Sequence, residues 1–200
     1  MKISLCIITK NEEANLRRCL TSVALVVDEI IVVDSGSTDG TEAVAREFGA
    51  RWVHQDWLGF VAQKNFVLSL ASHDWILSLD ADEALSADLF SELLSVKEVR
   101  FPEDITGFSM SRCVLYEGKW IRCGDWYPDR LVRLFQKGLA RFVGGKVHER
   151  LELDGTVQEL EGELEHHSFR DTVDHWARCE TYAQLWAEMK FEEGQKAHRL

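Results

Sequence analysis

The chain lacks several features that would place it outside the ordinary globular proteins. It has only two prolines in 200 residues, and no Gly/Ser-rich stretch marks a linker, which favours one continuous domain. No apolar run approaches the roughly 18 residues needed to span a bilayer. The apolar run near the N-terminus is too short for a signal peptide, so we expect a cytoplasmic protein.

Paired cysteines and a basic surface are also missing. The five cysteines are scattered, odd in number and without Cys-x-x-Cys spacing, so we expect reduced thiols rather than a zinc site or a disulfide framework. The 23 basic and 34 acidic residues give a net charge of −11. Because nucleic-acid binding requires a basic face, this balance argues against a nucleic-acid partner.

The first hundred residues alternate between strand and helix patterns. Apolar runs at residues 3–8, 29–34 and 75–79, with a shorter one at 51–54, predict strands buried on both faces. Helices are expected after an N-cap at Asn11, over residues 38–48 and 59–71, and after a cap at Ser86. Such alternation predicts an α/β fold with a parallel sheet, whose ligands lie beyond the carboxyl ends of the strands.

The second half of the chain has a different pattern. Strands are expected near residues 107–116, 130–136 and 147–153, with glycine-containing turns that favour mixed or antiparallel pairing. An amphipathic helix begins near Asp171. It either packs on the domain or contacts a second copy or a membrane surface through aromatic side chains.

The most informative residues are Asp80 and Asp82, which directly follow the apolar strand at 75–79. Buried carboxylates are costly unless a cation compensates them, and a divalent metal that bridges to phosphate oxygens is a common solution. Thr9 and Asp34 end two neighbouring predicted strands. We therefore expect these residues at one edge of the sheet, around a metal-bound nucleotide.

Other candidate residues each allow a simpler interpretation. The loop that begins with Asp34 and Ser35 is either a plain turn before a helix or an acceptor of base or ribose hydrogen bonds. Lys64 lies either on a solvated helix face or within reach of a phosphate or the acidic cluster. Glu149 suits a general base and His148 a metal ligand, unless both belong to an exposed strand.

Cationic and aromatic groups in the second half are candidates for substrate contacts. Arg130 and Arg133, with Asp129, suit a diphosphate or acceptor phosphates, with surface ion pairing as the alternative. His166 and His167 are a second candidate for metal contact, although an exposed pair near a strand end is the simpler explanation.

Three segments in this order resemble family 2 glycosyltransferases of the GT-A fold. They are residues 4–13, 32–41 (with Asp-Ser-Gly-Ser-Thr-Asp-Gly) and 79–83 (Leu-Asp-Ala-Asp-Glu). Residues 129–135 and 147–151 are similar to the lipopolysaccharide-core subgroup, which adds glucose to an inner-core heptose.

The resemblance implies an inverting enzyme that takes a sugar, glucose in that subgroup, from a UDP-sugar. The residues that correspond to the family's site fall into three groups. Nucleotide contacts are implied for Thr9, Glu12, Asp34, Ser35, Lys64 and Asp80. Mg²⁺ or Mn²⁺ would be held by Asp82 and His148, and Glu149 stands where many members have the catalytic Asp, so it is the expected base. The acceptor or the diphosphate would contact Asp129, Arg130 and Arg133.

We thus expect one GT-A domain over residues 1–200, with a nucleotide-sugar half at 1–100, an acceptor half at 101–170 and a C-terminal helix at 171–200. The expected acceptor is a lipid-linked saccharide or oligosaccharide, reached by peripheral contact with the inner membrane. A nucleotidyltransferase is the alternative enzyme, but it usually has a glycine-rich loop after its first strand, and residues 9–13 contain no glycine. A non-catalytic binding module would keep Asp34 and Asp82 without needing Glu149.

Overall fold

The first half of the chain forms the parallel part of a sheet, as the sequence predicts. The computed structural model describes residues 1–145 and 149–195. Its first elements are β1 (Ile3–Thr9), α1 (Glu13–Val23), β2 (Glu29–Asp34), α2 (Thr41–Glu47), β3 (Arg51–His54), α3 (Phe60–Ser69) and β4 (Trp75–Ser78). The strands lie in the order β3-β2-β1-β4 and are all parallel. Thr9 is the register partner of Asp34, so the ends of β1 and β2 lie side by side.

The start of α1 differs from the prediction, because Asn11 is not its N-cap. Asn11 has a positive φ of 57°, and its side-chain oxygen accepts a hydrogen bond from the backbone N–H of Thr38. The helix begins instead at Glu13, and α2 begins at Thr41. The loop after β1 is thereby tied to the loop after β2, which fixes two sides of the edge where a ligand is expected.

The second half adds antiparallel strands to the same sheet. Its elements are β5 (Glu83–Leu85), α4 (Ala87–Glu98), β6 (Ile105–Tyr116), β7 (Lys119–Ile121), β8 (Asp129–Gln136), β9 (Ala140–Val143), β10 (Arg150–Leu153), β11 (Thr156–His166) and α5 (Thr172–Glu192). The sheet continues as β4-β8-β6-β11-β5, and β8 is antiparallel to both β4 and β6. The mixed α/β class is confirmed, although β11 pairs parallel with β6 and was not predicted as a strand.

Alternate residues of β1 face opposite sides of the sheet, which explains its continuous apolar run. Leu5 and Ile7 pack in a cluster with α1, α2 and α4, whereas Cys6 packs in a second cluster with α3 and Phe135. Burial on both faces is the property that the near-continuous pattern predicts.

Helix α4 lies unusually close to β11. Ser86 caps the helix as predicted, because its hydroxyl accepts the N–H of Leu89. A Cβ on Gly162 of β11 would lie 2.4 Å from the backbone nitrogen of Leu89. Glu92 of α4 accepts the backbone N–H groups of Glu161 and Gly162, where the pairing of β11 with β6 shifts register.

Helix α5 is attached to the sheet by its first two turns and is exposed along its length. His175 lies against the ring of Phe169, and its Nδ1 is 3.2 Å from the hydroxyl of Tyr116. No residue of α5 is buried, and Trp176 and Phe191 are 69% and 81% exposed. Within residues 1–145 and 149–195, no helix combines the length and apolar character needed to cross a bilayer.

Candidate active site

A buried network of charges lies behind the carboxyl end of β4. Lys64 of α3 donates to the Asp80 carboxylate at 2.8 Å, and Arg133 of β8 donates to its other oxygen at 2.9 Å. Lys64 also bonds Glu149 at 2.9 Å, although its own side chain is only 6% exposed. Lys64 therefore does not lie on a solvated helix face but reaches the acidic cluster, one of the two predicted alternatives.

Glu83 forms the innermost part of this network. Its side chain is fully buried, and it accepts hydrogen bonds from Arg133 at 2.5 Å and Arg112 at 3.4 Å. Its second oxygen accepts the backbone N–H of Asp80 at 3.1 Å, which closes the turn between β4 and β5. These contacts correct the sequence argument at Asp80, because protein side chains supply the positive charge that compensates its carboxylate.

The network holds Asp80, Lys64 and Arg133 in their charged forms. Burial opposes ionisation of Asp80, but the charges of Lys64 and then Arg133 keep its pKa well below the usual value. Burial likewise disfavours the charged form of Lys64, and the nearby Asp80 raises its pKa nonetheless. Arg133 is directed at Asp80 and Glu83, so its predicted contact with an acceptor or diphosphate stays a prediction.

Asp82 and His166 form a second group, at the rim. The Nε2 atom of His166, at the end of β11, lies 3.4 Å from an Asp82 carboxylate oxygen. Burial opposes ionisation of Asp82, but the hydrogen bond from His166 keeps its pKa below the usual value. The Nδ1 atom of His166 is buried without a hydrogen-bond partner among the described residues.

The rim residues suit a divalent cation that takes its remaining ligands from a bound substrate. One carboxylate and one imidazole are available, and Mg²⁺ commonly binds through one or two carboxylates together with phosphate oxygens. In the part of the chain that the structure describes, no group of three or more His, Cys, Asp or Glu side chains could hold a metal alone. His148, the ligand predicted from the sequence, lies outside the described residues.

A cavity of about 550 Å³ opens at this rim and brings most of the predicted residues together. Its lining includes Thr9, Glu12, Ser35, Lys64, Asp80, Asp82 and Glu149. Asp34 is not among the lining residues. Its carboxylate accepts the N–H groups of Gly36 at 2.8 Å and Ser37 at 2.9 Å, so it shapes the loop that carries Ser35.

A second cavity of about 550 Å³ lies on the other side of Lys64, Asp80 and Glu149. Arg130 and Arg133 line it, and so does Arg112, which Asp129 holds at 2.6 Å. Asp129 itself is not in the lining. Two of the three predicted acceptor residues, Arg130 and Arg133, therefore line a space that adjoins the first cavity at Glu149.

Several lining residues of the first cavity were missed from the sequence as site residues. They are Trp57, Phe60, Ser168, Arg178 and Tyr182. Trp57 is 48% exposed and packs edge to face on Phe60, near the end of β3. Its position three residues after the end of β3 is a sequence signal that could have been used. Arg178 and Tyr182 have no such signal, because they come from α5, far along the chain.

The fold is that of a GT-A type domain, with a polar cavity at the ends of its parallel strands. Residues 4–147 match the family described as Glycosyl transferase family 2. The chain belongs to this family, which confirms the resemblance drawn from its motifs.

Relatives and solved structures agree with this assignment. The lipopolysaccharide core biosynthesis glycosyltransferase LpsC of Rhizobium meliloti is 32% identical, with 98% of this chain and 74% of that protein covered. An uncharacterized glycosyltransferase of Rickettsia typhi is 38% identical over 71% of this chain and 49% of its own length. The chain thus spans only about half of that relative. The crystal structure of S. aureus TarS with UDP-GlcNAc has the same fold, with a TM-score of 0.58 and 15% identity over 85% of this chain and 60% of that one.

Proposed function

We propose that this chain transfers glucose, with inversion, from UDP-glucose to a saccharide acceptor, the inner-core heptose of lipopolysaccharide. The observation that carries the proposal is the position of Glu149. Its carboxylate lines both cavities and is held by Lys64, which also bonds Asp80. A donor in the first cavity and an acceptor in the second would meet at this carboxylate.

The residues of the first cavity suit a UDP-sugar. Trp57 and Phe60 offer an aromatic wall beside Thr9 and Ser35, which suits a nucleobase. Asp82 and His166 would hold Mg²⁺ or Mn²⁺, which when bound offsets the negative charge of the departing diphosphate. Asp80, fixed by Lys64 and Arg133, would contact the ribose.

Glu149 acts as the general base in this proposal. It takes the proton from an acceptor hydroxyl while the oxygen of that hydroxyl bonds to the anomeric carbon of the donor sugar. The bond between the anomeric carbon and the diphosphate oxygen breaks on the opposite face, and UDP leaves with the electron pair. This in-line displacement inverts the anomeric configuration.

The acceptor would lie in the second cavity, against Arg112, Arg130 and Arg133. We propose a lipid-linked acceptor on the cytoplasmic side of the inner membrane, with the exposed aromatic residues of α5 available for peripheral contact. The name of the LpsC relative supports the lipopolysaccharide assignment.

Substitution of Glu149 tests the proposal. Glu149→Gln should lower transfer from UDP-glucose by about 10²- to 10⁴-fold, because the base is lost, while UDP affinity measured by calorimetry survives. Glu152→Gln is a matched control, because Glu152 lies on the adjoining strand and pairs at the surface with Arg141 and Arg150. Full turnover by Glu149→Gln would overturn the assignment of the base, and a wild-type protein that binds UDP without any turnover would indicate a binding module.

Two further measurements test the metal and the sugar. UDP should bind more tightly with Mn²⁺ than without it, and Asp82→Asn should remove the difference. Metal-independent binding that Asp82→Asn leaves unchanged would contradict the metal site. In a donor panel scored by UDP release, UDP-glucose should exceed UDP-galactose and UDP-GlcNAc, and a different order would overturn the choice of glucose.

A further inference from the structure

We infer that helix α5 completes the donor site and that Arg178 binds the diphosphate of the nucleotide. This inference rests on the proposed function in one respect, namely that the first cavity holds a nucleoside diphosphate. Arg178 lies beyond residues 4–147, the part of the chain that matches the family.

The helix is fixed at the mouth of the first cavity. Its N-cap, Asp171, accepts the N–H of Asp174 at 2.8 Å, and the hydroxyl of Thr172 lies 3.2 Å from a Glu117 carboxylate oxygen. With the contacts of His175 to Tyr116, these bonds hold the first turns of α5 at the end of β6. One helical turn further on, Arg178 lines the first cavity.

Arg178 differs from two other cations of this cavity, Lys64 and Arg112, in how its charge is used. Lys64 bonds Asp80 and Glu149, and Arg112 bonds Glu83 and Asp129. Among the described residues, Arg178 has one ion pair, from its Nε to Asp174 at 3.2 Å. Its two terminal nitrogens have no protein partner within the ranges 1–145 and 149–195.

The charge of Arg178 also reaches the rim where a diphosphate would lie. Arg178 and Asp82 both line the first cavity, so a ligand there lies beside the guanidinium and the proposed metal ligand alike. A bond through Nε to Asp174 orients the planar group, and a guanidinium with both terminal nitrogens available can donate to two phosphate oxygens at once.

The chain offers a matched control for this arginine. Arg170 pairs with the same carboxylate, Asp174, at 2.9 Å, but its side chain is 83% exposed and it does not line the first cavity. Loss of either arginine removes one partner of Asp174, so a difference between the two variants isolates the contact with the ligand.

The experiment measures the affinities of UDP and uridine by calorimetry in the presence of Mn²⁺. Arg178→Met should weaken UDP binding at least about tenfold, the loss typical of one charge-assisted contact, with no change for uridine. The affinity of Arg178→Lys for UDP should lie between those of Arg178→Met and the wild type, because lysine keeps the charge without the planar fork. Arg170→Met should bind both ligands as the wild type does.

The outcomes separate this inference from the proposed function. If the wild type binds UDP and Arg178→Met binds it equally well, the inference fails and the proposed function stands. An equal loss of UDP and uridine would assign Arg178 to helix placement and would also overturn the inference. A wild type that binds no UDP would overturn both.

Discussion

The charged residues of the buried network and those at the rim of the first cavity are paired in different ways. In the interior, Asp80 and Glu83 are each bonded to guanidinium or ammonium groups, and both cations, Lys64 and Arg133, are almost fully buried. At the rim, the one ion pair of the Asp82 side chain among the described residues is with His166 at 3.4 Å, and Glu12 lines the same cavity. The comparison indicates that the interior charges compensate one another within the fold, whereas those at the rim have fewer protein partners and border the cavity.

The largest effect on stability should come from breaking the interior network. Arg133→Met leaves Asp80 and Glu83 short of a buried partner, and the expected loss in unfolding free energy is about 3–5 kcal/mol. Denaturant unfolding measures it. Arg17→Met, which breaks the exposed pair of Arg17 with Glu47, serves as the control and should change stability little. A loss no larger than that of the control would refute the structural role of the network.

A smaller loss of stability is expected from substitution of Glu29, which links β2 to β1 and to the loop before β4. Burial opposes its ionisation, but hydrogen bonds from Ser4 and Ser72 lower its pKa. Because the folded pKa lies below the unfolded value of about 4.3, the stabilisation is complete above that pH and is lost as the pH falls through the folded pKa.

Glu29→Gln should therefore cost about 1–3 kcal/mol near neutral pH, through its lost charge-assisted hydrogen bonds. The difference in unfolding free energy between the wild type and Glu29→Gln should narrow as the pH falls below about 4.3. Unfolding curves at a series of pH values measure this, and a gap that stays constant down to strongly acidic pH would contradict the assignment.

The smallest effect on stability is expected at the rim itself. Asp82→Asn removes one carboxylate whose interaction with His166 outweighs the repulsion from nearby acidic groups, so stability should fall by only about 0.5–1 kcal/mol. Metal-dependent UDP binding should be lost in the same variant. If Asp82→Asn instead destabilised the protein as much as Arg133→Met does, the division between interior and rim would be wrong.

The parallel half of the fold could be predicted from sequence because its signals are local. Each of β1, β2 and β4 is buried on both faces and reads as an apolar run. Two of them end in predicted edge residues, Thr9 and Asp34, and Asp80 follows the end of β4 by two positions. Parallel pairing then places Thr9 beside Asp34, as observed.

Strand β11 was missed although it carries a period-two signal. Leu160, Gly162 and Leu164 face inward, and glutamates alternate with them. The many glutamates and the glycine lower the apparent strand propensity, and packing against α4 and β6 overrides it. His166, at the end of this strand, was consequently not recognised as the partner of Asp82.

The charge network could not be predicted from a single sequence. Lys64 and Glu149 are 85 residues apart, and nothing near either residue specifies the other. The burial of Lys64 depends on the complete sheet. Its partner Asp80 follows β4, and the second partner of Asp80, Arg133, lies on β8.

The position of Lys64 between the two cavities has a thermodynamic consequence. Because Lys64, Asp80 and Glu149 line both spaces, a ligand that draws one of these groups toward itself alters the other space as well. Such coupling is reciprocal, so a donor that changes acceptor affinity by some factor has its own affinity changed by the same factor. Lys64, which bonds both carboxylates, is then the residue through which a ligand in one cavity would change the affinity of the other.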